Sequence, residues 1–154
     1  MKRFFNIVTA LLLVVMATSC LDSNLESLDT YEGNDITGVS GVYHRYYGTD
    51  IIPGSGEVKV HQVSLNYGAF KVNKEENSCT FECSLPSNFP AAERPNFRMS
   101  NVVVILNIST AAVIKPIEGA PVLGKPGDWS KPNKYEVMAA NGEKKIWIVE
   151  AVEK

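Results

Sequence analysis

The chemistry open to this chain rests on a small number of side chains. Its 154 residues include two histidines, His44 and His61, and three cysteines, Cys20, Cys79 and Cys83. A metal site needs three or four converging donors, and two histidines on separate strands do not supply them. Glu75-Glu76 is a carboxylate pair, but it sits in the polar stretch Asn73 to Asn77, where a solvated turn explains it better than an acid/base couple. The chain has no Gly-x-Ser-x-Gly elbow, no phosphate-cradling glycine loop and no His-Glu-x-x-His pair. The expectation is a protein that is not an enzyme, with no catalytic residue, metal or cofactor. Aromatic faces remain as a means of binding. Tyr43, Tyr46 and Tyr47, together with Trp129, could stack on sugar rings. The competing expectation is that the tyrosines pack in the core and that Trp129, held on a loop stiffened by Pro126 and Pro132, closes one end of it. For Trp129 the structural role is the stronger expectation.

Cys20 has a chemistry of its own. Lys2 and Arg3 give a positive start, Phe4 to Met16 is mostly apolar, and Ala17-Thr18-Ser19 are small. This order of charge, grease and small residues reads as a secretory signal peptide. The apolar run of about 13 residues is short of the roughly 20 that span a bilayer as a helix. A small-residue triplet ending in cysteine resembles the lipobox of bacterial lipoproteins, with Ala17 standing where that motif prefers Leu. The resemblance implies cleavage after residue 19 and acylation of Cys20. The expected location is therefore the cell envelope, with lipid anchoring to the outer membrane and the periplasmic or surface face left open. Several acyl chains on one cysteine hold far better than one, because each buried methylene adds about 0.8 kcal/mol.

Charge narrows the partners. Without Lys2 and Arg3, the 15 basic residues become 13 against 17 acidic ones, a net charge of −4. Nucleic acid, which needs a basic face, is excluded as a partner. Membrane contact is expected through the lipid, and a glycan or a protein is the remaining partner class. Residues 20–35 carry Asp22, Glu26, Asp29, Glu32 and Asp35 with no Lys or Arg, which reads as a flexible acidic tether. Residues 36–154 form the single remaining domain, long enough to bury a core without metals or disulfides.

The elements that would position any site are strands. Gly38 to Tyr47 is rich in aromatic and β-branched residues. Tyr43, Arg45 and Tyr47 share one face and Val42, His44 and Tyr46 the other, with the buried face undetermined. Glu57 to Val72 alternates with parity changes at His61-Gln62 and Gly68-Ala69, which predicts two bulges or corners. Ser78 to Leu85 alternates cleanly, and the two segments read as a hairpin. On one strand Cys79 and Cys83 would lie roughly 13 Å apart. A disulfide needs about 4.4–6.8 Å, so both are expected as buried thiols. Asn101 to Ser109 is a continuous apolar run, expected as the central strand of its sheet. Ala111 to Ile117 is a shorter strand, and the proline- and glycine-rich 119–133 is irregular. Lys134 to Val152 closes as a hairpin around Asn141-Gly142. A three-residue loop with a bulge at Gly142 sets Tyr135 opposite Trp147, and a two-residue turn sets Val137 opposite Ile146; the first is favoured. No helical period is sustained. The fold class is all-β, a single two-sheet sandwich.

The segment from Ile105 to Ala151 carries Pro-Ile-x-Gly (116–119), Gly-Asp-Trp-Ser (127–130), Tyr-x-Val-x-Ala-x-x-Gly (135–142) and Trp-x-Val (147–149). It resembles the C-terminal half of a lipoprotein domain family of Bacteroidota type. Similar endings close immunoglobulin-like sandwich modules in larger surface lipoproteins linked to carbohydrate use. The resemblance implies an immunoglobulin-like fold and brings no catalytic residues. Two functions follow as expectations. One is a non-catalytic accessory or glycan-binding module. The other is an assembly module pairing with a partner chain through exposed strand edges.

Overall fold

Strand β4 (Ser78–Ser84) shows alternation turned into structure. Cys79, Phe81 and Cys83 are buried while Ser78, Thr80, Glu82 and Ser84 stay half-exposed. The protein is described by a computed structural model over residues 30–154; the leader, Cys20 and most of the acidic tether lie outside the described residues. Among the described residues eight strands form two sheets: β1 (Ile36–Ile51), β2 (Val58–Ser64), β3 (Asn66–Asn73), β4, β5 (Val102–Ile108), β6 (Val113–Ile117), β7 (Asn133–Met138) and β8 (Lys144–Glu153). One sheet has the order β2-β1-β5 and the other β3-β4-β8-β7-β6. The chain is an all-β, two-sheet sandwich. Its core runs between the sheets through Val42, Leu65, Phe81, Val104, Trp129, Tyr135 and Trp147. All neighbours are antiparallel except β4 and β8, which run parallel.

The closing hairpin takes the favoured register. Tyr135 faces Trp147, and the Ala139 N–H donates to the Glu143 carbonyl at 2.8 Å. Gly142 has φ of 89°, the left-handed conformation that a bulge of this kind requires. Tyr135, Val137, Ala139, Trp147 and Val149 are buried, and Ile146 and Ile148 face out. Cys79 and Cys83 are both free, buried thiols.

Four expectations need correction. Glu57 to Val72 is not one arm of a hairpin: β2 pairs with β1, and only β3 pairs with β4. Buried Leu65 carries the chain between sheets, its N–H donating to the Val42 carbonyl at 2.9 Å. The parity change at His61-Gln62 is not a bulge, since β2 keeps one register from Tyr47↔Val60 to Tyr43↔Ser64. Val58 and Val60 instead sit on the exposed outer face, which a hydrophobic pattern cannot distinguish from a buried one. The second parity change is a bulge, with the register shifting between Gly68 and Lys71 and Ala69 at φ of 48°.

Strand β5 is at an edge, with β1 at the centre. Its apolar character has another cause: the irregular 119–133 segment lies along its open side. Val102 and Gly127 exchange N–H···O bonds at 3.0 and 3.1 Å, and the Gly124 N–H donates to the Val104 carbonyl at 3.0 Å. An added Cβ at Gly127 would collide with Pro121. The end of the acidic tether is also part of the fold. The compact unit begins at Tyr31. Buried Trp147 donates through Nε1 to the Asn34 carbonyl at 2.9 Å, and Asp35 lies between Lys145 at 2.7 Å and Lys74 at 3.0 Å. Both lysines hold its carboxyl below the usual carboxylate range. Indole and lysine partners this far along the chain leave no local sequence signal.

Candidate functional site

Strand β1 outruns β5. Their pairing ends at His44↔Val102, whereas β1 continues to Ile51 paired only with β2. Beside that projecting stretch is a groove of about 580 Å³. One wall is His44, Arg45, Tyr46 and Tyr47, with Val60 of β2 beside Tyr47; the other is formed by Glu93, Asn96, Asn101 and Pro126. Side chains alternate across a strand, so four consecutive residues line one groove where it opens at the strand's edge, and Val60 extends it over Tyr47. The groove occupies the place where β5 would continue. The Arg45 carbonyl faces it, accepting from Asn101 Nδ2 at a long 3.5 Å. Because backbone groups also alternate, the N–H and C=O of Tyr47 face the same side. Among the described residues no strand pairs with this edge.

The loop wall is ordered by its own contacts. Arg94 Nη2 donates to the Pro86 carbonyl at 3.1 Å, and its guanidinium lies 5.9 Å from the centre of the Phe89 ring. Two short 3-10 turns, Arg94–Asn96 and Met99–Asn101, carry Asn96 and Asn101 to the groove. Asn96 Nδ2 reaches Glu93 Oε2 at 3.4 Å. The lining thus has one fixed cation, Arg45, one carboxylate, Glu93, and two carboxamides.

His44 forms the inner end and is 2% exposed. Its ring packs among Tyr46, Phe89 and Phe97, with centroids 5.6 to 6.1 Å away. Neither ring nitrogen has a hydrogen-bond partner. Burial lowers its pKa. Glu93 and the Asn101 backbone oppose that shift from nearby, without completing a hydrogen bond. Tyr46 stacks on both histidines, at 6.1 Å from His44 and 5.2 Å from His61. The two histidines, 17 positions apart in sequence, are therefore joined through one tyrosine.

Of the aromatic residues expected to bind, the groove gathers Tyr46 and Tyr47 and leaves two aside. Trp129 is 1% exposed, stacked on Tyr135 at 6.0 Å and edge-on to Phe81 at 6.3 Å. As a sugar platform it fails on burial; it closes the core. Tyr43 lies on the outer face of its sheet, half-buried, with its ring over Gly41. Tyr46 is already engaged in stacking, so Tyr47, 77% exposed, is the one of the four with an open face. Cys20 lies outside the described residues. Arg45, Glu93, Asn96, Asn101 and Pro126 were not legible as site residues. Pro86, Pro90 and Pro95 interrupt the chain after β4, but nothing local shows that this loop lies beside β1.

A family model described as DUF5018-related matches residues 36–150. The crystal structure of a protein from Bacteroides fragilis NCTC 9343, assigned as secreted, is 38% identical with a TM-score of 0.69. The match covers 82% of this chain and 99% of that one. No functionally curated protein matches the sequence.

Proposed function

The chain belongs to the DUF5018-related family, and we propose that it is a non-catalytic module of the cell envelope, lipid-anchored through Cys20, that holds a partner chain along the open edge of β1. The observation that carries this reading is the groove lined by four successive residues of one strand, which matches the space of a missing strand. An extended segment laid there would bond to the Arg45 and Tyr47 backbone, as strand addition requires. The non-catalytic part is supported by how the reactive groups are used. Burial pushes the thiols of Cys79 and Cys83 up to about 12 and about 11, which keeps them protonated and poorly nucleophilic. The histidines are engaged with Tyr46.

The envelope assignment is supported by the leader pattern and by the secreted assignment of the Bacteroides fragilis relative. Among the described residues no helix is long and apolar enough to cross a membrane. The chain enters the fold at Tyr31, whose carbonyl accepts from Asn141 at 3.4 Å. The groove lies 8 to 11 residues along β1 from Ile36, roughly 25–35 Å at strand rise. Cys20→Ser should release the protein from the membrane fraction or leave it unprocessed.

A second reading, a glycan held in the same groove, is favoured by one observation. Arg45, Glu93, Asn96 and Asn101 are the planar polar groups that bond vicinal hydroxyls, and they surround the open face of Tyr47. One experiment separates the two. Tyr31–Lys154 is screened against a displayed peptide library and a glycan array, with Tyr47→Pro and Tyr47→Ala alongside. Proline removes the groove-facing N–H and is tolerated at an unpaired edge. Strand addition predicts peptide hits whose affinity falls at least tenfold in Tyr47→Pro. Glycan hits lost in Tyr47→Ala, with no peptide hit, would replace it with the second reading.

A further inference from the structure

The loop wall of the groove is fastened to β1 through a single polar ring. Phe89 and Phe97, both buried, close on His44 from the wall with centroids 5.6 Å away, and they meet each other edge-on at 6.1 Å. On its own strand the same ring stacks on Tyr46. Both of its nitrogens are sealed from water without a hydrogen-bond partner. An apolar ring of similar shape would hold the two phenylalanines without that cost. What the imidazole adds is the capacity to take up a proton.

The charged and titratable groups around it come from three elements. The wall carries Glu93, Arg94 and Arg98. Arg94 lies over Phe89, and Arg98 donates to the Pro95 and Phe97 carbonyls. Strand β1 contributes Tyr46, Arg45, whose Nε donates to Gln62 at 2.6 Å, and farther on Asp50. Strand β2 contributes His61, which stacks on Tyr46 and lies 4.0 Å from Asp50. Of the carboxylates only Glu93 acts on His44, and it makes no bond to the ring. The closed wall therefore holds the neutral ring better than the cation.

We infer that His44 is an acid-released clasp: its neutral ring holds the 86–101 wall against β1, and its protonation lifts the wall and takes Glu93, Asn96 and Asn101 from the side of the groove. The direction follows from proton linkage. A lifted wall returns the ring to water, where it binds a proton near its ordinary value of about 6.5. The closed wall lowers that value, chiefly by burial. Acidification below the ordinary value therefore favours the lifted state. The opening is local because both rings and the carboxylate belong to one loop. Its backbone bonds are mostly turns within itself, among them Phe89 to Pro86, Phe97 to Glu93 and Asn101 to Arg98. Among the described residues, one backbone bond ties it to another element, from the Trp129 N–H to the Met99 carbonyl. Loss of a groove occupant in acid rests on the binding reading given above; the clasp itself does not.

Two buried thiols report the opening. Cys83 lies under the wall, with its Sγ 3.6 Å from Met99 Sδ. Cys79, on the same strand and roughly 13 Å away, reports unfolding of the sheet. The full-length protein is labelled with dithiodipyridine, which reacts with thiols in acid as well as at neutral pH. Each site is read by mass spectrometry and normalised to an unstructured peptide at the same pH. Cys83 should label about tenfold or more faster than Cys79. Its normalised rate should rise about threefold or more from pH 7.5 to pH 5. His44→Phe should abolish the rise, and His61→Gln should keep it. If His44→Phe fails to fold, the His44 imidazole resonance followed by NMR replaces it, and the Cys83 rise must level off as that resonance titrates. Equal labelling of Cys83 and Cys79 overturns the inference, since only global unfolding would then free the ring. A rate that does not rise in acid, a rise that survives His44→Phe or vanishes in His61→Gln, or one that fails to follow the His44 resonance, overturns it too. Labelling needs no ligand, so a protein that binds neither peptide nor glycan leaves this result standing, and the two failures are distinguishable.

Discussion

Two neighbouring regions of this sandwich follow opposite rules. Around Trp129 the open edge of β5 is covered. The 119–133 segment lies along β5, and the Trp129 N–H donates to the Met99 carbonyl at 2.9 Å. Tyr135 donates through its hydroxyl to the Pro121 carbonyl at 2.8 Å, and Asn133 Nδ2 donates to the carbonyls of Asp128 and Lys131, each at 3.0 Å. A few residues away, past the His44↔Val102 pair, β1 and β2 project with both edges open and apolar side chains in water. The same protein that covers the β5 edge with a fifteen-residue loop leaves both edges of this arm bare. Irregular chain can satisfy an edge, so the bare edges follow from how the loops are distributed and not from strand chemistry. The contrast locates stability in one region and leaves the other free for the recognition proposed above.

Substitutions should therefore separate by region. The largest effect is expected at Trp129. Trp129→Ala empties a fully buried site among Phe81 and Tyr135 and should cost about 3–5 kcal/mol of folding free energy, measured by denaturant unfolding. Trp129→Phe should cost much less, because the indole Nε1 is buried without a partner and contributes no hydrogen bond. A Trp129→Ala protein with unchanged unfolding would remove the distinction between the regions.

The junction between them is His44, and its effect should be intermediate and pH-dependent. Its folded pKa is lowered, chiefly by burial. The folded state then binds fewer protons than the unfolded state, so the stability difference is fully present above the unfolded value near 6.5 and declines as the pH falls below it. The decline ends once the folded imidazole itself is protonated. His44→Phe should remove this slope. It should also raise stability at neutral pH by about 1–2 kcal/mol, since two buried nitrogens without partners are replaced by carbon. A thermal-shift series from pH 7.5 to pH 5 on both proteins reads both effects. An unchanged slope in the variant would assign the pH dependence to other groups.

These two residues also show what could be read from the sequence. Local alternation carried the strands, and the spacing of Tyr135, Gly142 and Trp147 carried the register of the last hairpin, because one turn decides it. The thiol state of Cys79 and Cys83 followed from strand rise alone. The groove was not legible, because its walls come from β1, from the loop after β4 and from Pro126, and only the long-range β1–β5 pairing brings them together. Val58 and Val60 misled for a related reason: a hydrophobic pattern reports which side is apolar and not whether anything covers it. Trp129 was favoured as a plug by its place in the recurring Gly-Asp-Trp-Ser pattern, since a loop stiffened by two prolines suits a sugar platform equally well.

A smaller effect is expected where the chain enters the fold. Asp35→Asn breaks the contacts to Lys145 and Lys74 and should cost about 0.5–1 kcal/mol, since Lys74 is largely exposed. The Asp35 carboxyl is lowered in the folded state, so its contribution is present above about pH 4 and is lost as the pH falls through the folded value. An acid-unfolding curve with the same midpoint in Asp35→Asn would show that 31–35 is held by the Trp147–Asn34 bond instead.

The smallest effect on stability is expected on the arm, and it makes the comparison sharpest. Tyr47 is 77% exposed and its ring covers no core residue. Truncation removes little buried area, so Tyr47→Ala should shift folding stability by less than about 0.5 kcal/mol. Its neighbour Tyr46 offers an internal control. Tyr46 is half-buried and stacked between the groove and both histidines, so Tyr46→Ala should cost more than Tyr47→Ala while leaving the backbone edge in place. If Tyr47→Ala destabilises the fold as much as Tyr46→Ala, the arm is bound into the core after all. If it is silent in unfolding and still alters partner binding, the open edge is a surface built for recognition.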